Sequence, residues 1–355
     1  MKNKLLSFII LFSSLGLSQE RKTYEIRNIA FYNVENLFDI TNDTLIHDDD
    51  RTPDGKDQWT KERYQKKIVN LAHVISAIVS KEFNNSPDII GLCEVENHAV
   101  LKDLISHPSL IAKGYGTIHF DSPDERGIDV ALLYKKSVFI PASFKSHRLL
   151  LFNDDGFRDY TRDQLVVNGY LDGEEINFIV NHWPSRSGGE LRSRPHRIAA
   201  AKLNKKIIDS IRFVNPDSKI IAMGDFNDDP TNHSFKKILK TKGKTKNLEE
   251  NDLYNPMEKL FKKGVGSLAY RDKWNLFDQF YLTSNLISNN KKTYSLWKAG
   301  IFNPSYLSTK KGRYKGYPFR TYAGGNYLGG YSDHYPIYMY LIRESPTLTP
   351  TKDGD

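Results

Sequence analysis

Four short apolar runs in this chain each end in a side chain able to bind a cation or move a proton. Ile29–Tyr32 ends in Asn33, and Ile89–Cys93 ends in Glu94. Phe178–Val180 ends in Asn181 and His182, and Ile221–Met223 runs through Gly224 into Asp225, Phe226 and Asn227. Runs this short, bounded by turn-forming groups, read as buried strands. In layered sheets the strand ends on one side form the crevice where ligands bind. Taken singly, each group has a plainer reading: Asp and Asn after a strand are commonly turn residues, and a strand-end Glu is commonly a surface group. A lone His is as often a satisfied structural residue. Their joint occurrence points instead to one shared site.

The segments between these runs set the fold class. Lys61 to Ser80 places Tyr64, Ile68, Leu71, Ile75 and Ile78 at helical spacing, and Pro195 to Ile211 reads as a helix with proline in its first turn. Further strands are expected at Ile128–Tyr134, Gln164–Tyr170, Ile176–Val180, Ser218–Met223, Phe277–Leu282 and Tyr335–Leu341, with another helix after Pro230. Strands alternating with crossover helices predict an α/β layered domain, and 355 residues leave room for a large core. The polar, acidic stretch from Asn42 to Trp59, with its turn at Pro53–Gly55, reads as a surface insertion. Its carboxylates at Asp48–Asp50 lack the alternating ligands and terminal Glu of a calcium loop.

Both ends of the chain read as something other than domain. Lys2 and Lys4 precede an apolar run from Leu5 to Leu17 that is too short to span a bilayer, so residues 1–19 are expected to be a signal peptide. The expected destination is periplasmic or extracellular, with no stable membrane insertion. No Cys ends that run, which argues against a lipid-modified start. Residues 345–355, rich in Pro, Thr and charge, read as a flexible tail, leaving 20–344 as a single domain. The lone Cys93 has no intramolecular disulfide partner, and its apolar setting predicts a buried thiol. A formal charge of +8 and a pI near 9.1 suit a polyanionic partner.

The order of the polar groups carries a resemblance. Tyr32-Asn33-Val34-Glu35-Asn36, Asp88-Ile89-Ile90-Gly91-Leu92-Cys93-Glu94, Asn181-His182-Trp183-Pro184, Gly224-Asp225-Phe226-Asn227, Phe277-Asp278-Gln279 and Ser332-Asp333-His334-Tyr335-Pro336 resemble, in sequence, the motifs of the endonuclease/exonuclease/phosphatase superfamily. The likeness runs from about Ile26 to Tyr340, and the Glu-Val-Glu-Asn and Asn-His-Trp-Pro-Ser-Arg variants look most like its secreted bacterial nucleases. The chain departs from the common pattern at Cys93, where Gln often precedes the metal-binding Glu.

The resemblance implies a four-layer α/β sandwich, two packed mixed sheets flanked by helices, with the site at one end. It implies Glu94 as principal ligand of a divalent metal, with Asn33 and Asp333 close by. Oxygen donors without a Cys or multi-His cluster suit Mg²⁺ first, then Mn²⁺ or Ca²⁺. Asp225 and Asn227 would orient the attacking water, His182 and His334 would flank the scissile phosphate, and Asp278 would hold His334. Arg162 resembles the family's phosphate-contacting arginine. Asp129 reads either as a support for His182 or as a solvated strand-edge carboxylate.

Two basic loops adjoin these motifs: one holds Arg186, Arg192, Arg194, His196 and Arg197, the other Lys310, Lys311, Arg313, Lys315 and Arg320 with Tyr314 and Tyr322. They suit backbone contacts to nucleic acid more than sequence readout. The leading expectation is a monomeric, secreted, metal-dependent phosphodiesterase acting on DNA or RNA by direct attack of water. A phospholipid phosphodiesterase or phosphomonoesterase would keep the chemistry. A non-catalytic polyanion-binding protein is the reading from another class, and the retained Glu94, His182, Asp225 and His334 argue against it.

Overall fold

The computed structural model describes residues 22–78 and 85–345. The expected signal segment, the last residues of the first predicted helix and the tail from 346 lie outside them. In chain order the main strands are β1 (Tyr24–Leu37), β2 (Ile89–Val95), β3 (Tyr115–His119), β4 (Asp129–Lys135), β5 (Phe139–His147) and β6 (Gln164–Leu171). Then come β7 (Glu174–His182), β8 (Ile220–Asp225), β9 (Leu253–Tyr254), β10 (Asp278–Thr283), β11 (Ser295–Ile301) and β12 (Ile337–Glu344). They form two six-stranded mixed sheets, in the orders β11-β12-β1-β2-β4-β3 and β9-β10-β8-β7-β6-β5.

Each sheet contains one parallel pair near its middle, β1 with β2 and β7 with β8, and the remaining neighbours are antiparallel. That arrangement positions the site. Asn33 sits opposite Cys93, beside Glu94, and Asp225 sits opposite His182 on one side and Asp278 on the other. The carboxyl ends of both parallel pairs therefore open at the same end as the start of β10.

Period-two alternation along the central strands builds three apolar layers between four structural ones. Ile29 and Phe31 of β1, with Ile221 and Met223 of β8, enter the core between the sheets. Ala30 and Tyr32 face outward to α1 (Lys61–Ala77) and α2 (His98–Ser106), packing with Leu71, Ile75, Leu101 and Leu104. Ile220 and Ala222 face the other way, to α3 (Glu190–Val214), packing with Ala200, Ala201, Ile207 and Ile208. Each of the larger aliphatic and aromatic side chains contributes roughly 1.5–3 kcal/mol on burial, so register is strongly fixed. Asn97 starts α2 by accepting from the N–H groups of Ala99 and Val100.

Three local expectations need revision. The third helix begins at Glu190, placing Pro195 inside it. After Pro230 the chain makes only a short, wide-turned helix, Ser234–Leu239. The acidic insertion is not wholly surface: Trp59 is buried with Phe38 and Ile128, and its indole N–H donates to the Phe38 carbonyl at 2.9 Å. Cys93 is buried as expected, and no described helix is long and apolar enough to cross a membrane.

Candidate active site

Asn33, Glu94, His182, Asp225, Asp278 and His334 meet at the shared strand ends. Beyond Asn33 the backbone of β1 becomes irregular, with Glu35 and Asn36 at φ 50° and 55°, and Glu94 on β2 has φ 64°. Non-glycine residues in this region are strained, and the hydrogen bonds made here hold them. The Asn36 N–H donates to Oε2 of Glu94 (2.9 Å), and the Glu35 N–H donates to Oδ1 of Asn33 (2.9 Å). That leaves Nδ2 of Asn33 free to donate to Oε1 of Glu94 (3.2 Å) and Oδ2 of Asp225 (3.1 Å), linking the two sheets. Asn227, at φ 50°, donates its N–H to Oδ1 of Asp225 (3.0 Å) and its amide to the Trp183 carbonyl (2.9 Å).

The two imidazoles differ in charge. Nε2 of His182 lies 3.9 Å from Glu94 and 3.8 Å from Asp225. Burial, with Arg162, Arg126 and His334 adding repulsion, pushes its pKa well below the ordinary range, so the ring is neutral. His334 places Nδ1 2.6 Å from Oδ2 of Asp278 and Nε2 3.8 Å from Oδ2 of Asp225. Burial works against its charged form, but Asp278 and Asp225 outweigh that and keep it protonated. The Asp225 carboxyl is itself pushed up to about 7, chiefly by burial, against the pull of His334.

The donor set fits a hard divalent ion. Oxygens of Glu94 and Asp225 converge on the Nδ2 of Asn33, so two buried or half-buried carboxylates are bridged by one neutral amide group where positive charge would serve better. Cys93, His182 and Asp225 also bring ligand atoms within 4.8 Å of one another. Burial pushes the Cys93 thiol up and out of the thiolate form that binds metals, so oxygen ligation is favoured.

Asp333 is placed differently from a bare ligand: its Oδ2 accepts from Arg320 at 2.7 Å. Arg320 also donates to Glu35 (3.3 Å), as does the Thr321 N–H (2.6 Å), while Lys67 sits 4.0 Å from Glu35. Glu35 and Lys67, both buried, thus anchor the loop that delivers Ser332, Asp333 and His334. Sequence reading passed over both as site residues, although Glu35 lies inside a quoted motif.

The expected arginines make contacts within the fold, and Asp129 is placed away from His182. Arg162 is buried, with Nη1 on Asp124 (2.9 Å) and Nη2 on the Trp183 carbonyl (2.8 Å), so it braces the His182 strand end; its Nε has no hydrogen-bond partner among the described residues, and the side chain lines the cleft beside the site. Asp129 does not support His182: it accepts from Ser122 and lies 3.3 Å from His119, while Nδ1 of His182 has no hydrogen-bond partner among the described residues. Arg186 donates to the Asn227 carbonyl (2.8 Å) and stacks 4.4 Å above Phe277, clamping the Asp225 loop. The other arginines expected in this basic loop lie in the first turns of α3, where Arg194 pairs with Glu190 and the fully buried Arg197 pairs with Asp228. Beside the site lies a cleft of about 620 Å³ lined by Arg126, Tyr160, Ser185, Arg192 and His196, with Asp154 and Asp159 among its walls.

No curated protein sequence is similar enough to count as a match. Solved structures share the fold at low identity. D. rerio TDP2 complexed with single strand DNA product has a TM-score of 0.52 at 14% identity, covering 89% of this chain and 98% of that one. A Bacteroides thetaiotaomicron mannosyl-6-phosphatase has a TM-score of 0.53 at 18% identity, covering 89% and 99%. The human Nocturnin catalytic domain with bound sulfate has a TM-score of 0.51 at 15% identity, covering 91% and 98%. A model of the Endonuclease/Exonuclease/phosphatase family matches residues 28–343, and the chain belongs to that family of phosphoric ester hydrolases.

Proposed function

We propose that this protein is an exported, divalent-metal-dependent phosphodiesterase that hydrolyses DNA or RNA by direct attack of water. The observation that carries this reading is the pair of buried imidazoles, one neutral and one protonated, both 3.8 Å from Asp225. Attack on a phosphodiester concentrates negative charge on the nonbridging and leaving oxygens. Protonated His334, fixed by Asp278, offers Nε2–H to that charge. Asp225, poised near neutrality, accepts a proton from the attacking water, and Asn227 holds its other oxygen. Glu94, with Asn33, Asp225 and Asp333 as further donors, would hold a divalent ion, which would supply positive charge for the phosphate oxygens.

Nucleic acid is favoured by the positive balance of the chain and by the exposed Lys310, Lys311, Arg313 and Lys315 near the His334 segment. Single-strand DNA bound to the TDP2 relative fits the same reading. The charge-balanced cleft beside His182 also fits a neutral polar group carrying one phosphate, so a phosphomonoesterase is the second reading. Purified protein should be assayed with Mg²⁺, Mn²⁺ or Ca²⁺ and a chelator control on plasmid DNA, single-stranded RNA, sphingomyelin and a chromogenic phosphomonoester. Metal-dependent cutting of DNA or RNA, lost in His182→Ala, supports the nuclease. Turnover confined to the monoester or lipid transfers the mechanism to that substrate, and silence on all four overturns it.

A further inference from the structure

Asp129, turned away from His182, belongs to a second constellation. His119 at the end of β3 is opposite Ala131 of β4, and Asp129 at the start of β4 is opposite Val95, next to Glu94. The His119 side chain is 3% exposed, yet its Nε2 has no aligned hydrogen-bond partner among the described residues. That nitrogen lies 3.3 Å from Oδ2 of Asp129, close but out of hydrogen-bond alignment, and Nδ1 lies 3.8 Å from Asp121. One ligand atom from each of His119, Asp121 and Asp129 falls within 4.8 Å of the others. Two donor atoms about 2.1 Å from one ion and roughly at right angles would be separated by about 3 Å, close to the His119–Asp129 spacing.

The surroundings are strongly anionic. Asp121 and Asp129 open into a pocket of about 250 Å³ that Asp39, Asp43 and Glu96 also line, together with Asn42, Asn97 and Ser122. Among the described residues neither Lys nor Arg lines it. Oδ1 of Asp129 is already taken by the N–H and hydroxyl of Ser122, which fixes the carboxylate and leaves Oδ2 toward His119. Buried carboxylates are ordinarily paired or bound to a cation, and among the described residues His119 is the group placed to balance the charge of Asp129.

We propose that His119, Asp121 and Asp129 form a second divalent-cation site, separate from the ion at Glu94. One imidazole with two carboxylates suits Mn²⁺ or Zn²⁺ better than Mg²⁺, in contrast to the oxygen donors of the catalytic centre. A bound ion would tie the loop at Asp121 to β4 where β4 pairs with Val95, steadying the strand end that presents Glu94.

The test uses the Glu94→Gln protein, in which the catalytic ion is weakened, and counts Mn²⁺ by electron paramagnetic resonance in excess Mg²⁺. The site predicts one retained Mn²⁺ per chain and a rise in melting temperature on adding Mn²⁺. Both should disappear when Asp121→Asn or His119→Gln is added. Asp121 is 87% exposed, so its substitution leaves folding undisturbed even if the His119 variant is unstable. Unchanged Mn²⁺ counts in the Asp121→Asn and His119→Gln proteins would overturn the proposal. So would a His119→Gln protein whose lower melting temperature is the same with and without Mn²⁺, which marks a charged imidazole bridging two carboxylates. Neither outcome bears on the catalytic reading, since Glu94 is already disabled.

Discussion

Nδ1 of His334 lies 2.6 Å from Oδ2 of Asp278, and the opposite face of the same ring points Nε2 at Asp225, 3.8 Å away. One buried carboxylate thereby fixes both the orientation and the charge of the imidazole. Asp278 is held in turn by the Ser267 hydroxyl, and the Ser332 hydroxyl accepts the His334 N–H while donating to the Asn33 carbonyl. Asp278→Asn should keep the fold but lower phosphodiesterase activity by roughly 10²–10⁴. NMR titration of His334 should show its pKa falling in the variant. An unshifted pKa together with near-normal turnover would contradict the role given to Asp278.

Asp225 makes a prediction about pH. Its carboxyl is held up to about 7, chiefly by burial, so the folded metal-free chain keeps a proton there that the unfolded chain has released above about 4. Its contribution to stability is therefore full in acid and is lost as pH rises toward 7. The change is on the order of a few kcal/mol. Urea unfolding in chelator at pH 5 and pH 8 should show this loss in the wild type and a smaller one in Asp225→Asn. At pH 6, metal binding should also release a proton, seen as buffer-dependent heat in calorimetry. Identical pH slopes in the two proteins would be inconsistent with a raised Asp225.

Glu94→Gln tests the ion. The glutamine carbonyl can still accept from the Asn36 N–H, so the strand end should stay folded, while the lost charge weakens a hard cation. Activity should fall by roughly 100-fold or more, with partial recovery at high metal concentration. Equal metal dependence in both proteins would remove Glu94 from the ligand set.

Glu35 and Lys67 bear on stability. Lys67 is buried and pushed down to about 8 by that burial, with Glu35, Asp333 and Glu94 partly restoring its charge. Glu35→Ala would leave this buried ammonium with only the neutral Thr321 hydroxyl and Tyr331 carbonyl beside it, and would take the acceptor from Nε of Arg320 and from the Thr321 N–H. A loss of about 3–5 kcal/mol is expected from urea unfolding, much of it recovered when Lys67→Met is added. A loss below about 1 kcal/mol in the single variant would show that the loop is anchored elsewhere.

The strand ends were legible because their chemistry is local. Asn33, Glu94, His182 and Asp225 each follow an apolar run, and the structure gathers all four. The alternation that splits Phe31 from Tyr32 between two cores is equally visible along the chain. Partners across the fold were not legible. Arg162 precedes a strand as a phosphate contact would, but nothing local reveals its pairing with Asp124, 38 residues away. Asp129 meets His119 because β3 and β4 are adjacent, a pairing that no local pattern reveals. Pro195 misled because proline marks helix starts on average, whereas here the helix begins at Glu190 and tolerates it within.

The most direct test of the central claim is cleavage of supercoiled plasmid and of single-stranded RNA by the purified protein in Mg²⁺, compared with His334→Ala and with chelator. The account predicts cutting of at least one substrate that chelator abolishes and His334→Ala lowers by roughly 100-fold or more. Cutting that persists undiminished in His334→Ala would contradict the active site described here, and no cutting of either nucleic acid would contradict the proposed substrate.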